Sequence, residues 1–377
     1  MKQTVAIVGA GLVGRLLALE LYQTDCWDIC LFDQDDQKGS QSCSFVGAGM
    51  LSPWSELATA EPLITQLGIT SLMLWPQILQ QLTSPIFFQK AGTLIVSHRQ
   101  DYTELAQFTG LLQAKIQQYF PELTKTKSLS IQWQLLAKEI ESLEPELWGS
   151  FHRGILIEEE GQIDNRQLLQ GLAEDILKKN IAWQTDTVIN YIDSSTINGT
   201  HFDWVIDCRG LGAKPDWPEL RGVRGEIIRV FAPEVHLTRP IRLMHPRYPL
   251  YIAPRENHHY LIGATSIESE DNSPVTVRSA IELLSAAYSL HSGFAEASIL
   301  EMQTHCRPAL KDHLPKIQIQ GNIIRVNGLY RHGFLVTPAL VKMLSQWLTQ
   351  PDSFNDLHPN FKTLFEFKEE AVYAGRR

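Results

Sequence analysis

The sequence predicts an α/β protein that opens with a Rossmann-like unit and continues into a region of mainly antiparallel strands. Three observations carry that expectation. The first is Val5-Ala6-Ile7-Val8-Gly9-Ala10-Gly11-Leu12-Val13-Gly14-Arg15-Leu16-Leu17, where a β-branched apolar run gives way to three spaced glycines and then to good helix formers. Strand, tight turn and helix in that order are the sequence form of a dinucleotide-binding βαβ unit. The second is Asp33, which ends the run Asp28-Ile29-Cys30-Leu31-Phe32 nineteen positions after Gly14, close to the offset of about 20 at which an acid meets a ribose. The third is a change of pattern after Val223. There Gly225 to Phe231, Leu250-Tyr251-Ile252-Ala253-Pro254 and Tyr260 to Thr265 read as strands, with polar Asn257-His258-His259 as the turn of a hairpin.

Each glycine of the first motif has its own mechanical reason. Gly9 permits the sharp turn, Gly11 lets backbone approach a pyrophosphate, and Gly14 lets the helix pack closely on the strand. The pyrophosphate would meet the helix N-terminus, where unpaired N–H groups and a partial charge of about +0.5 favour an anion. Asp33 suits a ribose and repels a 2′-phosphate, which disfavours NADP. Taken alone, the motif also fits a glycine-rich turn followed by a capping Asp, or a nicotinamide enzyme.

Beyond Asp33 a polar loop, 34–44, leads to the small-residue stretch Phe45-Val46-Gly47-Ala48-Gly49-Met50-Leu51. Small residues there let backbone approach a large planar ligand, or pack as a buried loop on the first helix. Residues 56–82 have the spacing of one or two helices, with Met73 and Trp75 expected in the core. Phe87 to Val96 reads as the start of a strand pair. Helices are expected at about 101–119, entered through Asp101 with Glu104 three residues on, and at 135–144. Gly161 to Asp164 leads into a helix over Arg166 to Lys179, and Ile181 to Val188 reads as a strand. Trp204-Val205-Ile206-Asp207-Cys208 is a strand broken by Arg209-Gly210-Leu211-Gly212, the kind of turn that returns a chain to a nucleotide site. A helix follows at 276–290, then strand Ile323 to Val326, a loop over Asn327 to Gly333, a helix at 338–348 and a basic tail. No internal repeat is present.

Composition narrows the class. The 377 residues are 44% hydrophobic and 20% charged, which is ordinary for a globular protein. A formal net charge of −9 without a basic run disfavours a nucleic-acid surface. No apolar stretch approaches the roughly 18 residues of a membrane span, and no signal-peptide pattern is seen, so a soluble cytoplasmic protein without a membrane partner is expected. Five cysteines form no CxxC pair and twelve histidines show no HExxH spacing, so no metal site is expected. Cys306 reads as a packing cysteine despite its neighbour Arg307.

Seven short motifs in order give the chain a resemblance. They are Gly9 to Gly14 with Asp33, Gly47 to Leu51, Gly222-Val223-Arg224-Gly225-Glu226, Leu250 to Arg255, Ile262-Gly263-Ala264-Thr265, Arg307-Pro308-Ala309 with Asp312, and Tyr330-Arg331-His332-Gly333-Phe334-Leu335. Together they resemble the D-amino-acid-oxidase-like family of FAD-dependent amine oxidases, nearest to the glycine oxidases of thiamine biosynthesis. The resemblance implies FAD rather than NAD, and a Rossmann-like FAD-binding domain interleaved with a substrate domain built on a mainly antiparallel sheet. The expected division is 1–85, 150–220 and 321–365 for the first, 86–149 and 221–320 for the second, and a tail over 366–377.

By the same resemblance Arg307 would pair with the substrate carboxylate and Tyr251 would help through its hydroxyl. Arg331 would approach the flavin ring, with Met50 opposite. Gly9, Gly11, Gly14, Asp33, Gly47, Ala48, Gly49, Met50, Val188, Gly210, Arg307, Arg331, His332, Gly333, Phe334 and Leu335 would border the cofactor. By residue type alone, Arg307 also suits a structural ion pair, Arg331 a solvated surface, Tyr251 a core position and His332 a satisfied loop. The implied activity is oxidation of a small amino acid (glycine, sarcosine or a small D-amino acid) by hydride transfer to flavin, with molecular oxygen as second substrate. The products would be an imine or oxo acid, ammonia and peroxide, feeding thiamine biosynthesis. A dehydrogenase using a quinone or another acceptor and a non-catalytic flavin-binding partner are the alternatives; a homo-oligomer is compatible with the sequence. Several glycine oxidases carry a histidine two positions before the tyrosine, where this chain has Pro249. The prolines of Met244-His245-Pro246-Arg247-Tyr248-Pro249 would stiffen that loop and change the size of the pocket.

Overall fold

The computed structural model describes residues 2–126, 129–245 and 250–368. Pro246 to Pro249 of the proline-stiffened loop, and 369–377 of the expected tail, lie outside the described residues. Two large sheets organise the chain. The first has seven strands in the order Phe365–Phe367, Lys316–Gln320, Ile323–Asn327, Trp204–Asp207, Gln3–Val8, Trp27–Phe32, Ala182–Gln184. The last five run parallel, and the strand ending at Val8 stands in their middle. The first helix, Leu12–Gln23, buries Leu16, Leu17 and Leu21 in one core with Leu335, Val336, Leu340 and Leu344 of the helix Gly333–Thr349. Parallel strands buried on both faces explain why these segments read as unbroken apolar runs.

The second sheet has eight strands in the order Ser298–Ala309, Arg221–Phe231, His259–Gly263, Leu250–Pro254, Ile241–Met244, Thr93–Ser97, Arg153–Ile157, Ile131–Leu136. It is antiparallel except where Ile241–Met244 meets Thr93–Ser97. The hairpin turn falls at Asn257 and His258, both at positive φ (56° and 58°), as a two-residue turn between twisted strands requires. Period-2 alternation divides the sheet's faces. One face buries Leu94, Val96, Ile228, Val230, Ile252 and Ile262 beneath Leu283 and Leu290 of the helix Val277–Leu290. The other carries Ile95, Arg242, Tyr251, Gly263 and Ile227, paired in register from strand to strand; Ile95 packs under Trp54, Leu57, Phe108 and Leu112, while Tyr251 and Ile227 face an open cavity.

Several elements differ from expectation, each for a local reason. The expected strand Ile181 to Val188 keeps only Ala182–Gln184, because Asp186 at φ 54° turns the chain and Thr187 donates to the Asp33 carbonyl at 2.7 Å. Val188 therefore lies in a loop. Phe88–Gln89 and Thr93–Ser97 are not a pair. The former joins a small sheet with Met50–Leu51 and Gly161–Ile163, and the latter enters the eight-stranded one.

The last helix begins at Gly333, not 338, and runs through Pro338. Proline cannot donate to the carbonyl of Phe334, and the Trp75 indole donates there instead at 3.1 Å. Trp75 is buried as expected, whereas Met73 is exposed. Asp101 makes no capping bond, since the turn Arg99–Asp101 runs directly into the helix Tyr102–Tyr119. The segment 135–144 divides into the end of a strand and the helix Ala137–Leu143. Asp164, by contrast, caps the helix Asn165–Lys178 by accepting from the Arg166 and Gln167 amides at 2.9 Å.

Candidate active site

Between the two sheets lies a cavity of about 1080 Å³ that reaches from Gly9 and Asp33 to Tyr251 and Arg307. Its near end is the loop between the first strand and helix. Gly9 sits at φ +102°, and a Cβ there would stand 2.5 Å from the Cys208 carbonyl. A Cβ on Gly14 would stand 1.9 Å from the Gly9 carbonyl, while one on Gly11 would meet nothing closer than the Ser44 hydroxyl at 3.6 Å. The protein thus fills the space around Gly9 and Gly14 itself and leaves Gly11 facing the cavity. Gly11 offers no side chain to cap the helix that starts here; the Ser44 hydroxyl accepts from the Leu12 amide at 3.2 Å, and the amides after Leu12 in the first turn are left for an anion. Asp33 accepts from the Ala10 and Asp35 amides, and burial raises its pKa against those bonds.

The far end is floored by the eight-stranded sheet. Arg242, Tyr251, Gly263, Ile227 and Gln303 form one cross-strand row, and Arg307 lies four residues beyond Gln303 on the same face. Two glycines make this floor usable. A Cβ on Gly263 would stand 2.7 Å from the Tyr251 hydroxyl, and a Cβ on Gly225 would stand 2.2 Å from the Arg307 guanidinium carbon. Both side chains therefore lie flat across backbone. Arg307 donates to the Thr265 carbonyl at 3.1 Å and has no carboxylate within ion-pair distance among the described residues. Burial raises the Tyr251 pKa, opposed by Arg307. Met50, Val46 and Ala48 close the apolar side against Tyr251 and Ile227.

Arg331 is engaged differently. Its Nη2 lies 2.7 Å from Glu56 and also donates to the Thr59 hydroxyl at 2.7 Å. His332 Nε2 lies 3.0 Å from the same carboxylate. Burial alone would push the Glu56 carboxyl up, but Arg331 and His332 hold it well below the usual carboxylate range.

A second carboxylate stands nearby and is wholly buried: Glu160 accepts from the Ser55 amide at 2.6 Å and the Ser55 hydroxyl at 2.8 Å. Burial nevertheless pushes it up to about 7. An unfolded Glu titrates near about 4.3. Between those values the native state keeps a proton that the unfolded chain has released, so stability falls as pH rises through the window. Glu160→Gln, which keeps an acceptor for the Ser55 amide and can donate to its hydroxyl instead of accepting from it, is expected to stabilise the protein by about 2–4 kcal/mol at pH 8 and by little at pH 4.5, measured by denaturant unfolding. An equal effect at both pH values would show that Glu160 is ionised in the native state.

Of the expected site residues, Gly9, Gly11, Asp33, Gly47, Ala48, Gly49, Met50, Val188, Gly210, Tyr251, Arg307, Arg331, Gly333 and Phe334 all line this cavity. Three stand behind its wall. Gly14 packs helix on strand, His332 is buried against Glu56, and Leu335 packs on Gly68. Glu56 and Arg242 line the cavity without having been expected. Arg242 had a signal: Ile241-Arg242-Leu243-Met244 alternates as a half-buried strand does. Glu56 had none, because its partners are 275 and 276 residues away in sequence.

A family model described as FAD dependent oxidoreductase (DAO) matches residues 4–347. A Rhizobium etli protein named as a thiamine biosynthesis oxidoreductase, ThiO, is 36% identical over 337 residues, spanning 89% of this chain and 93% of its own. The glycine oxidase of Geobacillus kaustophilus is 25% identical over 379 residues, spanning 95% and 96%. A crystal structure of glycine oxidase from that organism superimposes with a TM-score of 0.78 at 22% identity, over 93% of this chain and 95% of that one.

Proposed function

We propose that this chain, which belongs to the DAO family of FAD-dependent oxidoreductases, oxidatively deaminates a small amino acid: glycine, sarcosine or a small D-amino acid. The observation that carries the reading is Arg307. Its guanidinium, unpaired with any carboxylate among the described residues, lines with Tyr251, on whose hydroxyl it acts electrostatically, the far end of a cavity whose near end is a glycine cradle. The cradle fits FAD. Gly11 leaves open the space a pyrophosphate needs beside the start of the first helix, and Asp33 lines the same cavity just after the second strand, within reach of a ribose.

When bound, FAD supplies the two-electron acceptor for the substrate C–H bond and, with oxygen, hydrogen peroxide. The chain's own part is positioning. Arg307 and the Tyr251 hydroxyl hold the carboxylate, a bidentate task that suits a guanidinium fork. Met50 and Ile227 bound the cavity and exclude water from the Cα. The positive charges of Arg307 and Arg242 favour a neutral amine over an ammonium, so no acid–base triad is required. Proximity and orientation account for most of the rate. The name of the Rhizobium etli relative supports a place in thiamine biosynthesis.

The purified protein is expected to be yellow, and glycine or sarcosine should bleach it anaerobically. Admitting air should then restore the colour and release peroxide. A flavin that stays oxidised with every small amino acid tested would sink this reading; one that is reduced but survives air would make the protein a dehydrogenase with another acceptor.

A further inference from the structure

Arg307 accounts for one carboxylate, and a second guanidinium faces the same cavity. Arg242 lies on the strand next to Tyr251, directly opposite it and on the same face, about 4.8 Å across the sheet. Arg242 and Arg307 thus stand on either side of Tyr251. Arg242 is held rather than loose: its Nη1 donates to the Ser55 carbonyl at 3.2 Å and its guanidinium lies 5.2 Å from the centre of the Phe108 ring. That single hydrogen bond leaves most of its donors without a partner among the described residues, and it lines the cavity.

The nearby carboxylates do not account for it. Glu56 is bound to Arg331 and His332, and Glu160 to the Ser55 amide and hydroxyl; neither comes within ion-pair distance of Arg242. At the far end of the cavity three guanidiniums, Arg242, Arg307 and Arg331, line the wall with one carboxylate, Glu56, and Glu56 and the buried Glu160 oppose the charge of Arg242 only from beyond ion-pair distance. Holding a charge in such a place is costly unless something opposes it. The N-terminus of the helix Gly333–Thr349 also lines the cavity and is available for negative charge on the cofactor.

We propose that Arg242 anchors a second acidic group, so that among the small amino acids this site oxidises the preferred ones are dicarboxylic, either an acidic amino acid or a glycine whose nitrogen carries a carboxyalkyl arm. This rests on the amine-oxidase reading for the reaction, not for the anchor. One carboxylate sits on Arg307 and Tyr251, the other on Arg242, and the C–H bond between them is fixed from both ends.

The test uses the holoenzyme and two unreactive probes of the same shape, succinate and its monoamide succinamate, with binding read from the shift in flavin absorption. Succinate is expected to bind at least about tenfold more tightly. Arg242→Leu should close that gap, lowering succinate affinity much more than acetate affinity, and Arg242→Lys should restore part of it. D-Aspartate and iminodiacetate should likewise show a KM at least about tenfold below those of D-asparagine and the iminodiacetate monoamide. Equal affinity for succinate and succinamate in the parent protein, or a gap that survives Arg242→Leu, overturns the anchor. Reduction by sarcosine with no diacid preference removes the anchor and keeps the amine oxidase. A diacid preference that depends on Arg242, with no amine reducing the flavin, does the reverse.

Discussion

Arg307→Ala should raise the KM for the amino-acid substrate by about two to three orders of magnitude while the protein stays yellow. A bond to a charged group contributes about 1.5–3 kcal/mol, and stranding a buried charge costs about 3–5 kcal/mol. About 3–4 kcal/mol lost from carboxylate binding corresponds to that change at about 1.4 kcal/mol per factor of ten. FAD should stay because the glycine cradle lies at the opposite end of the cavity, on the other sheet. The measurement is steady-state KM together with flavin content, and an unchanged KM would remove Arg307 from the substrate site.

Gly225→Ala offers an independent route to the same defect. Its new methyl would overlap the Arg307 guanidinium, with 2.2 Å to the central carbon. What must move is the far end of a flexible side chain rather than backbone, so the arginine should shift at little cost to the fold. The expected signature is a KM raised toward that of Arg307→Ala with near-normal thermal stability. Arg307→Ala and Gly225→Ala combined should then show less than the sum of the two effects, as residues acting through one interaction do.

The sequence made the glycine-cradle end of the cavity legible because every requirement there is local. Gly9, Gly11 and Gly14 fall within one turn, and Asp33 follows at the distance set by one helix and one strand. The opposite end of the cavity is assembled from five strands of the other sheet. It became readable only through short motifs that matched a family, and even these showed which residues gather, not what they bind. Arg331 illustrates the limit. Its position in the cavity wall followed from its motif, but its commitment to Glu56 depends on a helix contributed from 275 positions earlier in the chain. Pro338 shows the same limit for secondary structure. A proline in a periodic run reads as a helix start, and only the distant Trp75 indole, taking over the bond to Phe334, lets the helix begin a turn and a half earlier. Long-range donors are invisible to spacing rules.

Gly14 and Gly11 should separate what the opening motif does for the fold from what it does for the cofactor. The sequence assigns both to dinucleotide binding, yet their surroundings differ. A methyl on Gly14 would stand 1.9 Å from the Gly9 carbonyl, a backbone atom that cannot step aside without moving the strand or the helix. Overpacking of this kind costs about 1–3 kcal/mol even where side chains can yield, and here they cannot. Gly14→Ala is therefore expected to unfold at markedly lower temperature even when stripped of flavin, and to purify colourless or not at all. A methyl on Gly11 meets no protein atom within 3.5 Å, since Ser44 lies at 3.6 Å, and the φ of −71° there is open to alanine. Gly11→Ala should leave the melting temperature of the stripped protein near that of the parent and weaken FAD binding more than tenfold, because the only group left for the methyl to meet is the bound pyrophosphate. Flavin titration of the stripped proteins measures the second effect and thermal unfolding the first. If Gly11→Ala bound FAD as tightly as the parent, the pyrophosphate would have to pass elsewhere, and the cradle would be scaffold alone.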